Sequence, residues 1–359
     1  MMKQLRFLSV LQALVLSAVI LYGEDAWCGD VTRVEAYVRN SSTGRSVFWV
    51  DNDTLVFHGA PILQDGTVKR GEWLLEYKVS TGKVREQGRI GSLCFDNGYI
   101  RYWRPTPETA DLPLTQQKPE VFYGPYGKET QMPPPLVKKT NAPSARTWDC
   151  KYEDELPSLP AWTKGKVVKR LRPEHGFVEA APISWMDVRL AKLYPSSGGQ
   201  ADIPLRALDL PISLTTEYYP FKNAYLFTSS YHRTPLPSGV PQNLWWLYPD
   251  GRLEEIATII RDEKNWPLTN VDVWNFVISR QGIYFSGAEP NITPRIGKSG
   301  LYRLKPGGQP EKIVDGRIGS KAVSPDGCKI AFGNDDRWLV EGNKQLKLQI
   351  IDVCKGETK

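Results

Sequence analysis

The chain has 359 residues, 41% of them hydrophobic and 24% charged, and beyond its N-terminal segment no stretch has the length and apolarity of a membrane span. Its formal net charge is +6, and removal of Lys3 and Arg6 with a leader would leave +4, too weak and too dispersed to argue for nucleic acid. Three histidines and five cysteines restrict metal and catalytic chemistry from the outset.

Lys3 and Arg6 precede an apolar run over 7–22 that is broken only by Ser9, Gln12 and Ser17. A basic start followed by an apolar stretch is the pattern of an export signal, so residues 1–23 read as a signal peptide, with a boundary as late as 29 as the other choice. The run is slightly long, which makes an uncleaved membrane anchor the competing reading. Lipid modification of Cys28 is disfavoured, because bulky Trp27 stands where a small residue is needed. The expected location is the periplasm or the extracellular medium, with a membrane-anchored form as the alternative.

Residues 31–38 form a spare strand ahead of a repeating pattern. Strand-turn-strand segments follow at 76–84, 121–128, 193–199, 246–253, 302–308 and 351–357, each an aromatic or aliphatic strand that stops at a Gly, Pro or Asp turn and restarts. Their turn glycines, 82, 127, 199, 251, 308 and 356, are separated by 45, 72, 52, 57 and 48 residues. A four-stranded propeller blade takes about 40–50 residues. The spacing thus predicts an all-β chain folded as a single β-propeller over 31–359, with six blades favoured and seven as the alternative. The oversized interval coincides with Met132-Pro133-Pro134-Pro135 and Leu156-Pro157-Ser158-Leu159-Pro160, and predicts a Pro-rich insertion near 132–165.

A second set of strands runs in step with the first, at 54–57, 99–102, 224–227, 282–285 and 329–332, with 176–178 as a weaker member. The last unit stops directly after its turn, with no sequence left for an outer strand. Pairing of the N-terminal strand with that last blade would close the ring and remove an exposed edge. Cys328 opens one strand and Cys354 ends the next, over 346–353. Antiparallel pairing puts the start of one strand opposite the end of the other, so a Cys328–Cys354 disulfide is expected, and export permits it. Cys94 and Cys150 remain as a second pair or as buried thiols, with Cys28 odd.

The stretch Ser324-Pro325-Asp326-Gly327-Cys328-Lys329-Ile330-Ala331-Phe332 resembles the repeat of TolB-type, WD40-like propellers, in which a Ser-Pro-Asp-Gly turn leads into a Lys-x-Ile/Leu-Ala-Phe strand. Ser279 to Phe285 is a degenerate copy. The resemblance implies a propeller and an exported interaction protein, and it transfers no partner.

Catalytic signatures are sparse. His58, His175 and His232 show no metal-binding spacing, there is no Gly-x-Ser-x-Gly elbow, and no Gly-rich phosphate loop follows a strand into a helix, so neither a metal nor a cofactor is expected. Twelve tryptophans suit sugar stacking, but aromatic packing between sheets accounts for them more simply. The connections between second and third strands are long, at 59–71, 104–120, 229–242, 286–299 and 333–345, while the glycine turns are tight. In a propeller the long connections share one face, and loops on a rigid scaffold commonly carry binding residues. His58, Arg104, His232, Arg233, Arg295, Asp335 and Asp336 lie at or near these loops and are the candidate binding residues. The reading is a non-catalytic exported propeller that binds an envelope or secreted protein or peptide through its long-loop face. The alternatives are a lyase, hydrolase or cyclase with a central-channel site, and a glycan-binding propeller; membrane contact is expected only if the N-terminal segment stays uncleaved.

Overall fold

A computed structural model describes residues 30–39, 46–96, 99–110, 112, 116–131, 161, 167–172, 174–184, 187–203, 212–229, 241–260, 276–287, 299–304, 310–335 and 346–355. Among these residues the chain is all-β apart from short 3-10 turns, among them Pro107–Thr109. No helix among them is long and apolar enough to cross a membrane.

After β1 (Val31–Val38), the strands come in antiparallel groups of four. The first group is β2 (Val47–Trp49), β3 (Thr54–Pro61), β4 (Trp73–Lys78) and β5 (Lys83–Arg89). The second is β6 (Ser92–Asp96), β7 (Tyr99–Pro105), β8 (Pro119–Pro125) and β9 (Thr130–Gln131). The third is β10 (Val167–Arg170), β11 (Phe177–Ser184), β12 (Asp187–Tyr194) and β13 (Ala201–Ile203). β14 (Ile212–Tyr219), β15 (Ala224–Ser229), β16 (Pro241–Leu247) and β17 (Leu253–Ile260) make the fourth. β18 (Phe276–Ser279), β19 (Gly282–Gly287), β20 (Gly300–Leu304) and β21 (Glu311–Asp315) make the fifth.

The sixth group holds only three strands late in the chain, β22 (Arg317–Val323), β23 (Lys329–Asp335) and β24 (Leu346–Asp352). Its fourth strand is β1, which runs antiparallel along β24 from Val31 opposite Ile351 to Val38 opposite Leu346. The end of β1 also pairs with β3 (Ala36 with Pro61, Val38 with Gly59), which joins the first and sixth groups into one eight-stranded sheet. That crossing needs glycine: a Cβ on Gly59 would lie 1.8 Å from the Tyr37 carbonyl oxygen. The two expected strand registers are the second and third strands of these groups, and the turns at Gly82, Gly127, Gly199 and Gly251 join third to fourth strands as expected. Gly308, Gly356 and most of the 132–165 segment lie outside the described residues.

Why these segments form buried strands is visible in their composition. Residues 55–57 (Leu-Val-Phe), 224–227 (Ala-Tyr-Leu-Phe) and 244–247 (Leu-Trp-Trp-Leu) are buried throughout, because each such sheet is covered on both faces. Alternating residues then belong to different cores. Trp245 packs with Val178 and Leu193 of the third group, whereas Trp246 packs with Phe276 and Phe285 of the fifth. Both tryptophans are therefore sheet-to-sheet packing residues. Among the described residues, five such cores join first to second, third to fourth, fourth to fifth, fifth to sixth, and sixth to first groups.

Cys328 and Cys354 are bridged, with Cα atoms 5.1 Å apart, as antiparallel pairing of β23 with β24 requires. The backbone N–H of Val353 donates to the Cys328 carbonyl at 2.8 Å beside the bridge. Cys28 and Cys150 lie outside the described residues.

Candidate functional site

The two ends of the strand groups differ in construction. At one end the turns between first and second strands are short and interlocked. In the turn before β3, the Asp51 carboxylate accepts from Asp53 N at 2.7 Å, Thr54 N at 2.6 Å and Thr54 Oγ1 at 2.9 Å. Burial pushes its carboxyl up, but these donors outweigh that effect and hold it below the ordinary value. In the Ser324 turn, Lys329 N donates to Ser324 Oγ at 2.8 Å and Cys328 N to Asp326 Oδ1 at 3.0 Å. Asp326 N reaches across to Asn52 Oδ1 at 2.8 Å, and Arg280 N donates to the Gly327 carbonyl at 3.0 Å. A Cβ on Gly327 would lie 2.8 Å from the Phe221 ring. Turns of the fourth, fifth, sixth and first groups thus meet at one end, with the Ser324 turn at their junction.

The opposite end carries the long connections. β3 and β4 are joined through 62–72, and β7 and β8 through 106–118. The corresponding connections after β15, β19 and β23 are also long, whereas β11 passes to β12 through two residues only. The 62–72 connection and the described part of 106–118 are built surfaces. Thr67 N and Oγ1 donate to the Asp65 carboxylate at 2.9 and 2.6 Å, holding its carboxyl below the ordinary value, and Ile62 pairs with Val68. Lys118 N donates to buried Thr109 Oγ1 at 3.0 Å, and Arg89 Nη1 of the first group donates to the Ala110 carbonyl at 3.1 Å. Leu63 and Leu112, one on each connection, are both 42% exposed.

His58 is buried in β3, with Nε2 at 3.1 Å from Glu72 Oε2, a close approach without hydrogen-bond alignment. The Arg39 guanidinium contacts the same carboxylate and donates to the Gly91 carbonyl at 3.4 Å, while Arg39 N donates to the His58 carbonyl at 2.8 Å. The result is an imidazole–carboxylate–guanidinium row at the mouth of the 62–72 connection. Arg104 lies apart from it: Nη2 donates to the Gln87 carbonyl at 3.2 Å, and the guanidinium sits 4.9 Å from the Tyr102 ring centre. Asp335 is buried at the end of β23, opposite Arg317 in register. His232, Arg233, Arg295 and Asp336 lie outside the described residues; of Trp103, Trp162, Trp266 and Trp274, the tryptophans that a glycan-binding propeller would need exposed to solvent, the last three do too. Trp103 is half-buried against Gly91. Of the candidate residues, His58 gains a charged neighbourhood, and it makes no contact with Arg104. Glu72 and Arg39 carry no sequence signal; strand pairing alone brings them to His58.

Two more polar groups stand between units. The His175 ring Nδ1 and Arg172 N both lie within hydrogen-bond reach of the buried Tyr225 hydroxyl, at 2.8 and 2.9 Å. Burial, aided by Arg172 and opposed by Glu174, lowers the pKa of His175. In β22, Lys321 Nζ donates to Ser286 Oγ of β19 and approaches the Gly319 carbonyl at 3.5 Å. Lys321 as a residue keeps some solvent contact, yet protein encloses its amine closely enough that burial pushes the pKa down to about 7, against a rise from Glu217 of β14. Among the described residues no group of three metal-ligating side chains converges.

No family model matches the chain, and no curated protein matches it in sequence. Similar solved structures include a chain of the mitotic checkpoint complex, with 8% identity over 90% of this chain and 95% of that one, at a TM-score of 0.34. Streptogramin B lyase is similar at 11% identity over 92% of this chain and 99% of that chain, with a TM-score of 0.31. TolB from Acinetobacter baumannii is similar at 10% identity over 92% of this chain and 66% of its own, with a TM-score of 0.33. At these identities and TM-scores no activity or partner is drawn from any of them.

Proposed function

We propose that the six four-stranded units are blades of one closed β-propeller over 31–359, interrupted by a Pro-rich insertion near 132–165 and exported by a signal over 1–23. Its role is to bind a protein or peptide partner, without chemistry, through the end that carries the long connections. Closure is supported by β1, which supplies the missing fourth strand of the last unit, and by the five cores that each span two successive units. The observation that carries the binding assignment is the asymmetry of the two ends: interlocked tight turns at one, long hydrogen-bonded connections at the other.

Site-specific photo-crosslinking tests this assignment. A photoreactive residue replaces Leu63 or Leu112 on the long connections, and Val50 or Lys83 on the tight-turn end, in cells that export the protein. Discrete protein adducts are expected from the first pair only. Equal adducts from both ends, or adducts from the tight-turn end alone, would remove the long-connection face as the binding surface.

A further inference from the structure

Lys321 and Ser286 come from different units and meet where the fifth and sixth pack together. Long lysine side chains ordinarily carry the ammonium out to water or pair it with a carboxylate. Here the head group has neither arrangement. Its contacts are the Ser286 hydroxyl and the Gly319 carbonyl, and no carboxylate among the described residues lies within 4 Å of it, Glu217 acting from farther away. Enclosure without a partner favours the neutral amine, which has a free lone pair and can accept the hydroxyl proton of the serine beside it. Both residues are half-buried as whole side chains although the amine itself is enclosed, and Ser286 stands one residue before the end of β19, on the side of the long connections, from which a substrate would have to enter.

We propose that Ser286 and Lys321 form a nucleophile and general-base pair that accepts acyl groups from esters or activated amides. Ser286 Oγ adds to the substrate carbonyl carbon while its proton passes to Lys321 Nζ. The carbon–leaving-group bond then breaks, and the ammonium returns that proton to the departing alkoxide or amine. Water adds to the resulting serine ester with its proton taken by Nζ, the Ser286 carbon–oxygen bond breaks, and Oγ recovers the proton. The products are a carboxylic acid and an alcohol or amine, and water is the sole co-reactant. The Gly319 carbonyl and the packing of β22 against β19 hold the amine on the hydroxyl, which is the geometric requirement for a serine–lysine pair. This inference does not depend on the partner-binding face, but it replaces the non-catalytic part of that reading, and the labelling experiment decides between the two.

The test uses the purified protein and a biotinylated fluorophosphonate, which phosphonylates activated serines. Intact mass should rise by one adduct, and tryptic mapping should place it on Ser286. S286A should abolish the adduct. K321M, which keeps the length of the stem but removes the base, should slow labelling by about 100-fold or more. K321R keeps a cation but cannot serve as the base, and should be as slow. Thermal melts of the variants separate lost chemistry from lost folding, and the wild-type result stands even if one variant fails to fold. A folded wild-type protein that takes no adduct, an adduct on another residue, or wild-type labelling of folded K321M and K321R would each overturn the proposal.

Discussion

Replacing Cys328 and Cys354 together by serine probes how the last strand pair is held. The bridge ties residues 26 apart and closes a loop containing the connection from β23 to β24. In the chain-entropy description, a cross-link over that length reduces the freedom of the unfolded chain by an amount worth about 3.5 kcal/mol at 25 °C. Serine is nearly isosteric, and the β23–β24 ladder from Lys329 opposite Asp352 to Asn334 opposite Lys347 remains to hold the native geometry. For a two-state chain of this size, about 0.7 kcal/mol/K of unfolding entropy converts that loss into a Tm lower by about 5 °C. Differential scanning calorimetry on the oxidised wild type and the double variant measures it, with intact mass before and after reduction establishing the bridge. A Tm within 1 °C of wild type would refute the reasoning, because the cross-link would then restrict nothing in the unfolded chain.

Other expectations concern the opposite turns. G327A should lower stability by about 2 kcal/mol in urea titrations: the backbone φ is +76°, which disfavours any Cβ, and the added methyl would press on Phe221 and Arg280. Unchanged stability would mean that the junction of turns is loose. His175 has a folded pKa below its unfolded value, chiefly through burial, so its contribution to stability is complete above about pH 6.5 and is lost as pH falls through the lower folded value. H175Q should therefore flatten the decline in Tm between about pH 6.5 and 5. An identical pH profile for the variant would dismiss His175 as the titrating group.

The repeating strands, the tight glycine turns and the Cys328–Cys354 bridge were legible in the chain because each depends on local chemistry. Turn residues select backbone angles within four positions, apolar runs such as Leu244-Trp245-Trp246-Leu247 demand burial on both faces, and antiparallel pairing of neighbouring strands sets their ends opposite one another. The spare strand at 31–38 was legible too, as an element without a neighbour in sequence. Which strands it pairs with depended on the whole sheet order, and the end of β1 turns out to touch β3 as well as β24. The charged clusters were not legible. Arg39 and Glu72 lie 33 residues apart, directly after β1 and directly before β4, and Lys321 and Ser286 lie 35 apart on β22 and β19; sheet pairing and core packing decide both approaches. Local sequence determines what a strand or turn is. Only the packing of sheet on sheet decides which amine is shut away from water, and which hydroxyl it meets there.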